Sequence, residues 1–286
     1  MSDTAQSARP GTLYIVATPI GNLRDITLRA LDILKSADIV AAEDTRVTSG
    51  LLSAYGIQTK LYAYHEHNEH AAAESLLREL QTGKSIALVS DAGTPGISDP
   101  GAHIAVQARQ AGVKVVPIPG ASAAAAVMSV AGNTEGRWLF HGFLPHKAGA
   151  RQRELETLRA LPMPILFYES PHRIVECIAD LETVLGPERR LLIAREVTKL
   201  FETIHDCALG EASAWLAADA NRQRGEFVLL VSGAVASPDA GMEQAQALLE
   251  VLLDELPASQ AVRLAARISG QRKNALYDLA QRLKPE

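Results

Sequence analysis

The sequence predicts an α/β protein: two tandem α/β domains with a ligand cleft between them, followed by a small C-terminal helical module. Three observations carry that expectation. Short apolar runs, each followed by a glycine-, proline- or charge-rich loop and then by helix-period residues, recur up to Ser232, which is the pattern of strand–loop–helix units. The longest of these loops, Ser90 to Gly101 (SDAGTPGISDPG), follows the apolar run Ile86 to Val89. Beyond Ala240 only helical periodicity remains.

In order, residues 1–11 are small and polar and are expected to form a disordered tail. The first domain, 12–134, opens with the strand pattern Thr12 to Ala17 and the loop Thr18 to Leu23. A helix follows, capped by Asp25 or Thr27, with Leu28, Leu31, Ile33, Leu34 and Ala37 as its apolar set. The strand Ile39 to Ala42 ends in Glu43-Asp44-Thr45-Arg46, whose opposite charges either pair with each other or meet a substrate. Leu61 to His70 reads as a solvated loop despite His65, His67 and His70, because no cysteine supports metal there. Ser75 to Leu80 belongs to a helix. Val113 to Ile118 is a strand closed by Pro119-Gly120-Ala121-Ser122-Ala123, and Ala123 to Val130 is a small-residue helix packed on the sheet.

The central loop lies just past a strand's carboxyl end, where open α/β sheets bind ligands. Glycine permits positive φ and close backbone approach, and proline stiffens the loop. Helix capping by Ser98 or Asp99 accounts for its last residues but not for Ser90 to Gly96.

The second domain, 135–234, repeats the α/β alternation. Strands are expected at Trp138 to Phe143, Ile165 to Tyr168, Leu191 to Ala194, Thr203 to Ala208 and Glu226 to Ser232. Helices are expected at Gln152 to Leu161, Ile174 to Leu185 and Glu211 to Ala218. Charge gathers at strand ends in Glu169, His172, Arg173, Arg195, Glu196, Lys199 and Glu202. Such ends in both domains point to one shared cleft. Residues 234–240 form a linker, and 241–286 a module of three helices at Met242 to Glu255, Ser259 to Ser269 and Lys273 to Leu283. The last two resemble a helix-turn-helix. Their basic residues Arg263, Arg267, Arg272, Lys273, Arg282 and Lys284 suit phosphate backbone; a solvated tail or dimer contact is the competing reading.

Composition narrows the class. The 286 residues are 47% hydrophobic and 21% charged, typical of a globular protein large enough for two cores. A formal charge of -5 excludes general polyanion affinity, so nucleic acid must be met by a local basic surface. Cys177 and Cys207 lie in apolar segments away from any metal spacing, which suits buried thiols in a reducing compartment. No apolar run reaches the ~20 residues of a membrane span, so a cytoplasmic protein is expected. No nucleotide-binding G-x-G-x-x-G or G-x-x-x-x-G-K-[ST] occurs in a strand–loop–helix setting.

Several segments together resemble the tetrapyrrole methylase superfamily, and within it the ribosomal RNA methylase branch: LYIVATPIGNLRDIT (13–27), AAEDTR (41–46), SDAGTPGISDPG (90–101), PIPGASA (117–123), GFLP (142–145), FYESPHR (167–173), AREVTK (194–199) and GEFVLLV (225–231). The tetrapyrrole enzymes carry a GDP-type central loop where this chain has Ser90-Asp91-Ala92, which favours the RNA branch. The resemblance implies S-adenosylmethionine in the cleft, a homodimer, and 2′-O-ribose methylation of a cytidine in 16S ribosomal RNA or the small ribosomal subunit. By position it implies cofactor contacts from Pro19, Ile20, Gly21, Asp91, Gly93, Thr94, Ser122, Ala123, Tyr168, Arg195 and Phe227. No metal is implied.

Methyl transfer from a sulfonium is an in-line displacement, so positioning is the enzyme's main task. A ribose hydroxyl is a poor nucleophile and needs a base, or a cation at the developing oxyanion. Lys199 is expected to act on the hydroxyl, its pKa lowered by desolvation, with Glu169 or Glu196 orienting it and Arg173 or Arg46 holding phosphate. For each of these groups an ion pair supporting the cleft is the competing reading, above all for Glu196. A small-molecule, tetrapyrrole-type methylase and a non-catalytic RNA-binding ribosome-assembly factor are the alternatives.

Overall fold

The computed structural model describes residues 7–65, 67–134, 136–234 and 240–283. Described residues up to Gly233 form one compact unit, and those from Ala234 onward form a second.

The first half of the larger unit alternates β1 (Thr12–Val16), α1 (Leu28–Ser36), β2 (Ile39–Ala42), α2 (Thr45–Ala54), β3 (Leu61–Ala63), α3 (Glu69–Gln81), β4 (Ile86–Val89), α4 (Ala102–Gln110), β5 (Lys114–Ile118) and α5 (Ala123–Val130). Its five strands are parallel, in the order β3-β2-β4-β1-β5. β2 and β4 are buried on both faces, as uninterrupted apolar strands of a parallel sheet must be. Pro117, which lacks a donor, sits on the edge strand β5, where its loss is tolerated. From β1 the chain crosses toward β2, and from β4 it crosses the opposite way toward β5. The adjacent carboxyl ends of β1 and β4 are therefore a topological switch point, the ligand position of open α/β sheets.

The second half comprises β6 (Leu139–Phe143), α6 (Ala148–Leu158), β7 (Ile165–Glu169), α7 (Ile174–Leu185), β8 (Arg190–Arg195), β9 (Thr203–Ala208), α8 (Leu209–Ala217) and β10 (Phe227–Val231). Its sheet, β6-β7-β10-β8-β9, is mixed: β6 pairs with β7 in parallel, and the other neighbouring strands pair antiparallel. The expected α/β alternation is present except between β8 and β9. No helix joins β8 to β9, and a short connection can only reverse the strand.

Helices α6, α7 and α8 bury one face of this sheet around Phe167, Ile193 and Leu229. The other face is covered from the first half: Ala124 and Val127 of α5 pack on Leu166, Ala194, Val228 and Leu230. The alanine-rich helix is tightly packed as expected, but onto the second sheet. Small side chains allow that close approach, and it joins the two halves.

Four further expectations change. Thr27, through its Oγ1, caps α1 by accepting from Ala30 N at 3.1 Å, but Leu28 is 79% exposed; it stands two residues from Ala30, on the opposite side of the helix from the Ala30, Ile33, Leu34 stripe. The expected loop at 61–70 is shorter, because Leu61–Ala63 is strand β3 and α3 begins at Glu69; His65 and His67 lie in the connection between them. The N-cap of α4 is Gly101, without a side-chain cap, so neither Ser98 nor Asp99 caps it. The expected disordered tail does not extend to Ala8, Arg9 and Gly11, whose amides donate to Ser36 Oγ, Tyr14 OH and Gly83 O at 2.8, 2.9 and 2.9 Å; residues 1–6 lie outside the described residues.

The smaller unit contains α9 (Ala240–Glu255), α10 (Ala258–Ser269) and α11 (Lys273–Leu283) around Leu249, Val262, Leu276 and Leu279. Gly270, at φ 70°, ends α10 in the left-handed conformation. Residues 235–239 of the expected linker, and Lys284, lie outside the described residues.

Candidate functional site

The site grows from the switch point. Thr18, after β1, and Gly93, after β4, exchange backbone hydrogen bonds at 2.8 and 3.1 Å. Gly93 has φ +82°, and a Cβ there would stand 3.5 Å from Ile20 Cγ2. Thr94 Oγ1 donates to Ala121 O at 3.2 Å, tying in the loop after β5. Ser122 Oγ then accepts from Ala125 N and caps α5. Three loops of the first sheet thus form one preorganised edge.

Across from this edge lie the end of β7, the start of β10 and Val197 after β8. Between them is a cleft of about 320 Å³, lined by Ile20, Gly93, Thr94, Ser122, Ala123, Tyr168 and Phe227 among others. Seven of the expected cofactor positions meet here. The lining includes three carboxylates, Asp99, Glu169 and Glu226, and among the described residues no lysine, arginine or histidine. Burial pushes the Asp99 carboxyl up to about 6; a hydrogen bond from Ser90 opposes this, and the charges of Glu43 and Asp91 add to it.

A second cleft of about 300 Å³ adjoins the first and shares Ile20, Ala92 and Glu226 with it. Pro19, Gly21, Asp91 and Lys199 line this second space, with Val47, Thr48 and Leu51 of α2. Asp91 is fixed by accepting from Asp44 N at 2.9 Å.

Lys199 stands at the boundary. Its Nζ donates to Glu196 Oε1 at 2.9 Å and to Glu226 Oε2 at 2.8 Å. Burial pulls on the ammonium, but these two carboxylates outweigh it and raise the pKa above that of an ordinary lysine. The expectation of a lysine lowered toward neutrality is therefore corrected: two anions in contact favour the charged form. Burial acts on the Glu196 carboxyl too, and is outweighed by Lys199 and by Glu226 N, so its pKa is lowered. The loop is held in uncommon geometry, with Glu196 and Thr198 at φ 53° and 71°. Gly225 makes room for it, since a Cβ there would lie 2.4 Å from Glu196 Cγ.

Other expected site residues take different positions. Glu169 lines the first cleft but does not orient Lys199; it accepts from Ser170 N at 2.7 Å and pairs with Arg173 at 3.1 Å. Arg173 is turned inward, donating to Leu144 O at 2.7 Å and Pro145 O at 3.3 Å, so it braces the turn after β6 rather than facing phosphate. Arg195 lines neither cleft; it donates to Arg224 O at 3.2 Å and Phe201 O at 3.0 Å and braces the loop after β8. Arg46 does pair with Asp44, at 2.6 Å, yet its side chain remains 90% exposed. Arg263, Arg267, Arg272 and Lys273 are exposed on the separate helical module. His70 Nδ1 meets His103 Nε2 at 3.1 Å. Cys177 and Cys207 are buried free thiols, as expected.

Asp99, Glu226 and the α2 wall were not foreseen. Asp99 was read as a cap, and Glu226 as part of a strand. The apolar residues Val47, Leu51 and Leu52 at helical spacing behind the capping Asp44 were the available signal for α2.

The switch-point sheet faces a second, mixed sheet across the cleft, and the sequence matches the tetrapyrrole methylase class. The family model described as Tetrapyrrole (Corrin/Porphyrin) Methylases matches residues 12–213, and one described as RsmI C-terminal HTH domain matches residues 239–284. Solved structures of this fold include the uroporphyrin-III-C-methyltransferase from Thermus thermophilus, with TM-score 0.55 and 20% identity over 78% of this chain and 94% of that chain. The methyltransferase CobJ aligns with TM-score 0.58 and 20% identity, over 78% and 95%.

Relatives within the class are much nearer. The chain is 49% identical over 270 residues to the ribosomal RNA small subunit methyltransferase I of Escherichia coli O157:H7, covering 94% of each. It is 50% identical over 281 residues to that of Neisseria meningitidis serogroup A, covering 98% of this chain and 96% of the other. It belongs to the ribosomal RNA small subunit methyltransferase I family.

Proposed function

We propose that the chain transfers a methyl group from S-adenosylmethionine to the ribose 2′-hydroxyl of a cytidine in 16S ribosomal RNA. The observation that carries this reading is an acidic cleft, with no basic residue among its described lining, that opens onto a lysine held charged. S-adenosylmethionine bears a sulfonium and an ammonium against one carboxylate, so an acidic lining fits it. Gly93, Thr94, Asp99, Ser122, Ala123, Tyr168 and Phe227 would hold it, with Ile20 at the boundary, while Pro19, Gly21 and Asp91 line the adjoining space. When bound, the cofactor supplies an electrophilic methyl carbon.

The chain's own groups serve the oxygen. The Lys199 ammonium stabilises negative charge growing on the acceptor as its proton leaves. Glu196 fixes that ammonium, and Glu226, which borders both clefts, is assigned the proton. Glu169 acts through Arg173, shaping the wall rather than touching the reacting atoms. Relatives named for ribosomal RNA support a polymeric acceptor, and Arg263, Arg267, Arg272 and Lys273 would take its phosphates.

Incubation with radiolabelled S-adenosylmethionine and undermethylated small subunits tests the reading. Label at one cytidine, in an alkali-resistant linkage, is the expected result. Label on a base, or on uroporphyrinogen alone, overturns it.

A further inference from the structure

The second cleft calls for an occupant. It is continuous with the first through Ile20, Ala92 and Glu226. Its wall is largely apolar, with Pro19, Ile20 and Leu23 on one side and Val47 and Leu51 on the other. It is also preformed. The Tyr55 hydroxyl, just past the end of α2, donates to Leu23 O and so ties the two walls together. Asp44 accepts from Arg46 N at 2.8 Å, and its own amide donates to Asp91 Oδ1, which fixes the start of α2 against the central loop.

Charge is divided across this space. Its ionisable lining residues are Asp91, Glu226 and Lys199, and the ammonium is already matched by Glu196 and Glu226. An anionic group carried into the cleft would meet Asp91 without a free counterion among the described lining residues. A neutral group would not. At the rim the balance changes, because Arg46, next to Val47 on α2, is 90% exposed. Its partner Asp44 is held low, to about 2, chiefly by the side-chain hydrogen bond from Arg46. Exposed pairs of this kind are weak, so the guanidinium can exchange its partner for a phosphate.

We propose that the second cleft is the acceptor pocket, taking one neutral nucleoside turned out of its RNA strand, with Val47, Thr48 and Leu51 against the base and Arg46 on the adjoining phosphate. This rests on the methyl-transfer reading and names where its substrate sits. About 300 Å³ is at the small end of ligand sites and is adequate for a nucleoside. A carboxylated tetrapyrrole would bring its anions to Asp91. Turning the nucleotide out brings its ribose beside Lys199 at the boundary with the cofactor cleft, which a stacked nucleotide cannot reach.

The test fills the pocket. Leu51→Trp and, at the rim where the native side chain is 49% exposed, Val47→Trp are each compared with wild type for S-adenosylmethionine affinity by calorimetry and for methyl transfer to undermethylated subunits. The expected result is cofactor affinity within about twofold of wild type and kcat/KM for RNA lowered at least ~10-fold. Arg46→Glu should raise KM for RNA and leave kcat in place. Wild-type kcat/KM in Val47→Trp overturns the inference while leaving methyl transfer intact, and so does equal loss of cofactor binding in Val47→Trp. Absence of transfer by wild type would instead remove the reading beneath it.

Discussion

A Cβ on Gly21 would stand 2.4 Å from Cγ of Lys199 and 2.7 Å from its Cε. The aliphatic stem of the lysine therefore crosses the space that a Cβ on Gly21 would take, and a side chain there would have to push it aside. Gly21 also sits at φ +150°, outside the usual range of other residues. The loop after β1 and the loop after β8 are fitted to each other at this contact, and the fit delivers the ammonium to the junction of the clefts.

Gly21→Ala should accordingly behave like a displacement of Lys199. Misplacing a reacting group by an ångström can cost about 10²-fold, so turnover should fall by that order and match Lys199→Ala. Cofactor affinity should change far less in the lysine variant. Single-turnover kinetics at saturating cofactor and RNA check this. Normal turnover in Lys199→Ala would remove the lysine from the chemistry altogether.

Asp99 supplies a pH dependence. Its carboxyl is raised to about 6, first by burial. Below pH 6 it is mostly neutral and gives no attraction to a sulfonium or ammonium; above pH 6 it is charged. Affinity for S-adenosylmethionine should therefore rise with pH through about 6, and binding should release protons there. S-adenosylhomocysteine, with one positive charge fewer, should show a smaller effect. In Asp99→Asn the step near pH 6 should vanish. Calorimetry in two buffers of different ionisation enthalpy measures both the affinity and the proton count; a step of equal size in Asp99→Asn would show that another group titrates.

The architecture was legible where local chemistry decides. Apolar runs such as Ile86–Val89 marked the strands, and Thr27, one of two cap candidates, marked a helix start. The loops of the cofactor cleft were legible from their glycines. Strand direction in the second half was not, because it depends on β10 inserting between β7 and β8, a long-range pairing that no local pattern encodes. The roles of Arg173 and Arg195 were missed for a related reason. A charged residue at a strand end reads the same whether it faces a cleft or backbone carbonyls, and here the carbonyls of Leu144 and Phe201 take them. Lys199 was found, but its charge state depends on Glu226, 27 residues away in sequence.

The helical module makes a separate prediction. Arg263, Arg267, Arg272 and Lys273 are exposed there. If they contact phosphates, each removed contact should lower the slope of log K against log salt by about one. Arg267→Ala with Lys273→Ala should reduce it by about two while leaving S-adenosylmethionine affinity unchanged. Filter binding across a salt series measures the slope, and an unchanged slope would assign these residues another partner.

Stability should hinge on a pair remote from the clefts. Arg151 is 1% exposed, and its Nε donates to Asp180 Oδ2 at 2.5 Å. Gln152 Nε2 donates to the other oxygen at 2.7 Å, and the Arg151 Nη1 reaches His146 O at 3.3 Å. The guanidinium cannot lose its charge, and the other carboxylate beside it, Glu176 at 3.7 Å, is 75% exposed, so removing Asp180 leaves a poorly matched cation inside the protein rather than a neutral gap. Breaking such a pair costs about 3–5 kcal/mol, whereas replacing both members with well-packed apolar residues is often neutral or favourable. Asp180→Ala should destabilise the larger unit by that amount, and Arg151→Met with Asp180→Leu should recover most of it. Urea unfolding followed by circular dichroism resolves the two cases: equal losses in the single and double variants would mean that packing between α6 and α7, not an isolated charge, is what the substitution disturbs.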